Sequence, residues 1–225
     1  MIKNILIALD DTLLDFKKSE ARAIVDTMKE FGVVPTNEKI KRYSEINDEY
    51  WKKLETGELV REQVLVGRFA TFFEELGVQV DAVKVRYFYE DYMKTCVDFI
   101  DGAVETLMAL QGKYKLYLVS NGTAVVQDSR IEISGLSKYF DKIFISQRVG
   151  YNKPSIMFFN AVFDEISHFN KDETIILGDS ISSDILGGIN AGIKTCLFNP
   201  KKHKNDIAHY QISKLSEFIK LLDNI

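Results

Sequence analysis

At 225 residues, with 46% hydrophobic and 28% charged residues, the chain can bury one large core or a core domain carrying a smaller inserted one. A formal net charge of -4 argues against an electrostatic footprint for a nucleic-acid polymer or anionic lipid, and no apolar stretch reaches the length of a membrane span. Cys96 and Cys196 lie far apart in apolar surroundings and read as buried free thiols, and no cleavable signal peptide precedes the first strand-like segment, so the expectation is a soluble, cytoplasmic protein.

Residues 4–9 (NILIAL) form a continuous apolar run that predicts a strand buried on both faces. Residues 17–99 then contain no strand-like run. Four amphipathic patterns fill them, at 17–31, 37–54, 60–76 and 81–98, with Gly32, Gly57 and Gly77 as natural stops. Four such helices joined by short turns make a small bundle. Beyond it, strand-like runs at 114–119, 142–145, 174–177 and 194–198 alternate with helical patterns at 102–110, 125–134, 156–165 and 183–191. That alternation predicts an α/β fold, a Rossmann-like parallel sheet with helices on both faces. Residues 210–225 read as a short extended piece and a final amphipathic helix. The expected domains are residues 1–16 with 100–225 as the α/β core, and 17–99 as the helical module.

In an open parallel sheet, ligands bind beyond the carboxyl ends of the strands. Here those ends carry Asp10-Asp11-Thr12, Ser120-Asn121-Gly122, Gly150-Tyr151-Asn152-Lys153-Pro154 and Gly178-Asp179-Ser180, with Asp184 shortly after. Taken singly, each is more often a strand exit, a turn, a solvated lysine or a helix cap. Four at four successive strand ends are not independent accidents. Carboxylates suit a hard cation such as Mg2+, and lysine, hydroxyl and amide groups suit phosphate oxygens.

The ordered set resembles the haloacid dehalogenase-like hydrolases over essentially the whole chain. The family's Asp-x-Asp-x-Thr-Leu motif is met by Ala8-Leu9-Asp10-Asp11-Thr12-Leu13, its serine or threonine by Ser120, its lysine by Lys153, and its Gly-Asp-Ser with a later aspartate by Gly178, Asp179, Ser180 and Asp184. The insertion is similar to the family's C1 cap. Leu13-Leu14-Asp15-Phe16, Tyr50-Trp51, Gly57, Gly67-Arg68-Phe69 and Val149-Gly150-Tyr151-Asn152-Lys153-Pro154 resemble its pyrimidine 5'-nucleotidase branch. The resemblance implies Mg2+-dependent hydrolysis of a small phosphomonoester, a nucleoside 5'-monophosphate, through an aspartyl-phosphate, by a monomer or small homo-oligomer. It implies that Asp10 is the general acid and base and offers its backbone carbonyl to the metal, that Asp179 is a direct ligand, and that Asp184 lies in or near the metal shell. Ser120 and Lys153 would hold the phosphoryl group, helped by backbone amides at Asp11, Asn121 and Gly122. In the cap, Trp51 and Arg68 are the candidates to meet the substrate, whereas Phe69, Phe72 and Phe88 read as bundle core.

Ala8 breaks the pattern, because it stands where the family has its aspartate nucleophile and a methyl group can neither attack phosphorus nor bind a cation. The neighbours do not replace it. Strand alternation sets Asp10 at a different depth and turns the Asp11 side chain away. Two explanations are open, an Asp-to-Ala change in an otherwise working enzyme and a natural pseudo-phosphatase that keeps the pocket for binding. The intact remainder of the set favours the first. A phosphosugar phosphatase or mutase and a metal-free haloacid dehalogenase are the other enzymatic readings, and Asp10 with Gly178-Asp179-Ser180 favours the metal-dependent phosphatases over the dehalogenase.

Overall fold

A computed structural model describes all 225 residues. The chain divides into two compact units, Met1–Asp15 with Val97–Ile225, and Phe16–Cys96.

The first unit is built on a six-stranded sheet, every strand parallel to its neighbours. Its strands are β1 (Asn4–Ala8), β2 (Lys115–Ser120), β3 (Lys142–Ile145), β4 (Thr174–Gly178), β5 (Lys194–Phe198) and β6 (Tyr210–Ile212), in the spatial order β3-β2-β1-β4-β5-β6. The order reverses at β1, which pairs with β2 on one side and β4 on the other, and a crevice opens at such a switch point beyond the carboxyl ends. Side-chain alternation divides the core. Ile5 and Ile7 join Leu107, Leu118, Leu136, Leu177 and Phe218 on one face, and Leu6 joins Val119, Phe158, Phe159, Ile176 and Ile193 on the other. The helices of this unit are α5 (Ala103–Leu110), α6 (Ala124–Ile133), α7 (Ser146–Val149), α8 (Ile156–Asp164), α9 (Leu186–Ala191) and α10 (Leu215–Leu222), numbered after the four of the second unit.

That second unit holds α1 (Phe16–Glu30), α2 (Asn37–Glu55), α3 (Arg61–Glu75) and α4 (Ala82–Met93). Thr36 and Asp81 cap α2 and α4 through their side-chain oxygens. Its core is aromatic. Tyr43 stacks on Phe69 at 5.5 Å, and Phe72 meets Phe73 edge-on at 5.4 Å.

Two elements differ from the sequence expectation. The fourth helix ends at Met93 and not at residue 98, because Asp98 accepts from the Asp15 amide (2.8 Å) and the Ile100 amide donates to Leu13 (2.9 Å). Those extended contacts displace the last helical turn. The helical pattern read from residue 183 begins instead as a wide turn of π type at Ile181–Ile185, which carries Asp184. Both cysteines are buried free thiols, and burial pushes the Cys196 thiol up to about 12. No helix is long and apolar enough to cross a membrane.

Candidate active site

The groups at the carboxyl ends of the first unit's strands are joined by one chain of contacts. β1 ends at Ala8, whose methyl is buried and whose Cα lies opposite Val119 of β2. The chain then makes a tight turn in which the Leu13 and Leu14 amides both donate to Leu9. Thr12, wholly buried in that turn, donates its hydroxyl to Asp179 Oδ1 at 3.0 Å. Asp11 sits at φ 52°, outside the strand conformation, so strand alternation does not govern it. Its carboxylate stands close enough for its charge to act on Asp179, which corrects the expectation that it turns away. The Asp11 amide, expected on a phosphate, donates to Leu14 at 2.7 Å.

At the end of β2, Ser120 Oγ accepts from the Gly122 amide (3.1 Å) and from Gln127 Nε2 (2.8 Å), which leaves its O–H proton free to donate. The Gly122 amide is therefore also committed within the turn. Asn121 accepts from the Lys153 amide and donates to the Lys153 carbonyl, both at 2.9 Å, so its side chain clamps the lysine backbone. Lys153 is only 3% exposed. Its Nζ donates to Asp184 Oδ1 at 2.5 Å and to the Val119 carbonyl at 3.4 Å, and an ammonium group has a third donor to give.

The turn after β4 folds Asp184 back so that its Oδ2 accepts from the Ser180 amide at 3.2 Å. Gly178 permits this, since a Cβ there would lie 2.2 Å from Asp184 Oδ2. Burial, then the charges of Asp184 and Asp11, push the Asp179 carboxyl well above the usual range, and the Thr12 hydroxyl works in the opposite direction. Side-chain carboxylates, imidazoles and thiols form no cluster of three able to hold a metal by themselves.

Two residues that sequence reasoning passed over complete the set. Gln127 and Arg130 of α6 both reach Asp10, through Nε2 to Oδ2 at 2.6 Å and through NH1 to Oδ1 at 2.5 Å. The only sequence signal was two polar residues three apart on the buried face of α6, beside Val126 and Ile131. Of the cap candidates, Arg68 is buried and donates to Asn47 Oδ1 at 2.5 Å, and Trp51 Nε1 donates to the same oxygen at 3.1 Å. Phe69 and Phe72 are wholly buried.

Residues 5–198 match the family model described as haloacid dehalogenase-like hydrolase. The chain is 32% identical over 225 residues to the pyrimidine 5'-nucleotidase PynA of Streptococcus pneumoniae, covering 98% of this chain and 95% of that one. It is 31% identical over 216 residues to the pyrimidine 5'-nucleotidase YjjG of Escherichia coli, covering 95% and 94%. The crystal structure of the HAD-hydrolase YfnB of Bacillus subtilis bound to magnesium superposes with a TM-score of 0.94 at 35% identity, over 100% of this chain and 99% of that one.

Proposed function

The chain belongs to the haloacid dehalogenase-like hydrolase family, and from that premise we propose that it carries the site of a Mg2+-dependent nucleoside 5'-monophosphate phosphatase whose attacking group is missing. The observation that carries the reading is the buried Ala8 methyl at the end of the central strand, with Asp10, Ser120, Lys153, Asp179 and Asp184 otherwise complete around the neighbouring strand ends. The two pyrimidine 5'-nucleotidase relatives support the substrate class.

The residues fit a hard cation. Asp179 suffers the charges of two further carboxylates, a local surplus that a dication neutralises, and the donors are oxygens. Asp179, the Asp10 carbonyl and, in or near the shell, Asp184 would hold Mg2+. Bound there, Mg2+ supplies charge neutralisation for the phosphoryl oxygens. Ser120 donates its O–H, and Lys153 its third N–H, to the phosphoryl oxygens. A carboxylate at position 8 would attack phosphorus as the bond to the nucleoside 5' oxygen breaks, with Asp10 protonating that oxygen. Water, giving its proton to Asp10, would then release orthophosphate and restore the carboxylate. With Ala8, neither step has its covalent partner.

The test is phosphate release from an aryl phosphate and a nucleotide panel, before and after Ala8→Asp, with Mg2+ and with a chelator. The parent chain is expected to turn over negligibly. Ala8→Asp should raise turnover by several orders of magnitude, strictly with Mg2+ and with pyrimidine nucleoside 5'-monophosphates preferred over hexose phosphates. An ordinary phosphatase rate in the parent would sink the assignment of position 8. A folded Ala8→Asp protein inactive on every phosphomonoester would leave a ligand-binding pseudo-phosphatase. A hexose phosphate outrunning every nucleotide would move the reading to the sugar-phosphate branch.

A further inference from the structure

Gln127 and Arg130 lie three residues apart on α6, on one helical face, and both are buried, at 2% and 1% exposed. Burying a guanidinium is costly, and a buried ion pair often adds little net stability, so packing alone is a poor reason to keep one. Arg130 NH1 also donates to Gln127 Oε1 at 2.9 Å, which fixes the amide so that its Nε2 faces both Asp10 Oδ2 and Ser120 Oγ. Gly122 makes the room, since a Cβ there would lie 2.3 Å from Gln127 Nε2. Asp10 itself keeps 29% of its side chain exposed, so it can meet water while α6 holds it.

We infer that Arg130 and Gln127 are positioning residues that fix the direction of the Asp10 carboxylate, on which the second, hydrolytic half of the reaction depends most. The inference rests on the phosphatase reading above. Both Asp10 oxygens accept N–H donors from α6, so the carboxylate cannot swing about its side-chain bonds while these contacts last. An aryl leaving oxygen departs with little help from an acid, whereas attack by water needs Asp10 in place, so with an aryl phosphate the hydrolytic half is the more sensitive to this positioning. In that step, the water oxygen bonds to phosphorus as its proton passes to Asp10. The bond between phosphorus and the carboxylate introduced at position 8 breaks, and its electron pair returns to that carboxylate as orthophosphate leaves. Without the α6 contacts, an aryl phosphate should still phosphorylate the protein readily while hydrolysis slows, so the phosphorylated protein should accumulate.

The experiment compares Ala8→Asp with Ala8→Asp/Arg130→Met and Ala8→Asp/Arg130→Lys, on an aryl phosphate with Mg2+. Arg130→Met should lower kcat about 10- to 100-fold with KM changed by less than about threefold, as expected when a group is misplaced and not removed. It should also give a pre-steady-state burst of the aryl alcohol and a phosphorylated species in the intact-protein mass, neither of which a loss of folding produces. Arg130→Lys, which keeps one cationic donor, should recover part of kcat and shrink the burst. If Arg130→Met does not fold, Arg130→Lys and Gln127→Met carry the same burst measurement. A fall in kcat without accumulation of phosphorylated protein would overturn the inference, as would a kcat indifferent to Arg130. An inactive Ala8→Asp protein with Arg130 in place would overturn the phosphatase reading and this inference with it. An active one insensitive to Arg130 would overturn the inference alone.

Discussion

Both units bury arginine, and the most deeply buried arginine of each meets different partners. Arg130, in the α/β unit, meets the Asp10 carboxylate and the Gln127 amide. Arg68, in the helical unit, donates to the neutral Asn47 amide and lies over the rings of Phe69 and Tyr89 at 4.7 and 5.2 Å. Paired charge is buried in both units, at different places in the fold. In the α/β unit the buried charges are paired at strand ends, as with Lys153 and Asp184. In the helical unit Arg86 pairs with Glu90 at 3.1 Å, one turn apart on α4, and Glu20, raised above the usual carboxylate range by burial, is countered by Lys17 and the Ser44 hydroxyl. Buried charge in the first unit gathers from separate segments at the strand ends, whereas in the second it is held between and along packed helices.

The comparison breaks most readily at Lys153. Lys153→Met leaves Asp184 buried opposite a methyl group and should cost about 3–5 kcal/mol in urea unfolding, while adding Asp184→Leu should recover most of the loss. A Lys153→Met protein as stable as the parent would mean that the pair is effectively solvated. Arg68→Met should cost less, about 1–2 kcal/mol, because it removes a hydrogen bond to a neutral group and keeps much of the apolar contact. A loss as large as that of Lys153→Met would show that Arg68 also acts through its charge, which reaches Glu20.

The smallest effect should have the opposite sign. Because Asp179 titrates above its unfolded value, the folded protein binds more protons than the unfolded chain across that interval, so its contribution to stability falls as pH rises through it. In the presence of a chelator, Asp179→Asn should therefore melt slightly higher than the parent near neutral pH, with the difference vanishing towards pH about 4. Added Mg2+ should reverse the order, because it stabilises only a folded protein that binds it. Melting curves with no pH-dependent difference would separate Asp179 from the carboxylate cluster.

Much of the fold was legible because its signals are local. The run at residues 4–9 became β1 (Asn4–Ala8), and the run at 174–177 became β4 (Thr174–Gly178), within one residue. The end of α4 was not legible, since residues 98 and 100 are drawn into pairing with 15 and 13, more than eighty positions earlier. Asp11 was misjudged for a related reason. Strand alternation holds only while the strand continues, and the chain leaves it at Ala8. Asn121 was expected to serve phosphate through its backbone, and its side chain proves to clamp Lys153, 32 residues on.

By itself the sequence determined the strands and helices, the helical insertion, the order of the polar segments and the presence of a methyl group at position 8. Those are matters of composition and short-range period, where residues two, three or four apart share a face. Tertiary structure alone decided that β1 lies between β2 and β4, that Asp184 folds back onto the Ser180 amide from a π-type turn, and that α6 delivers Gln127 and Arg130 to Asp10. Those last contacts join residues 117 and 120 positions apart, a distance at which no periodicity operates and only the spatial order of the strands brings the groups together.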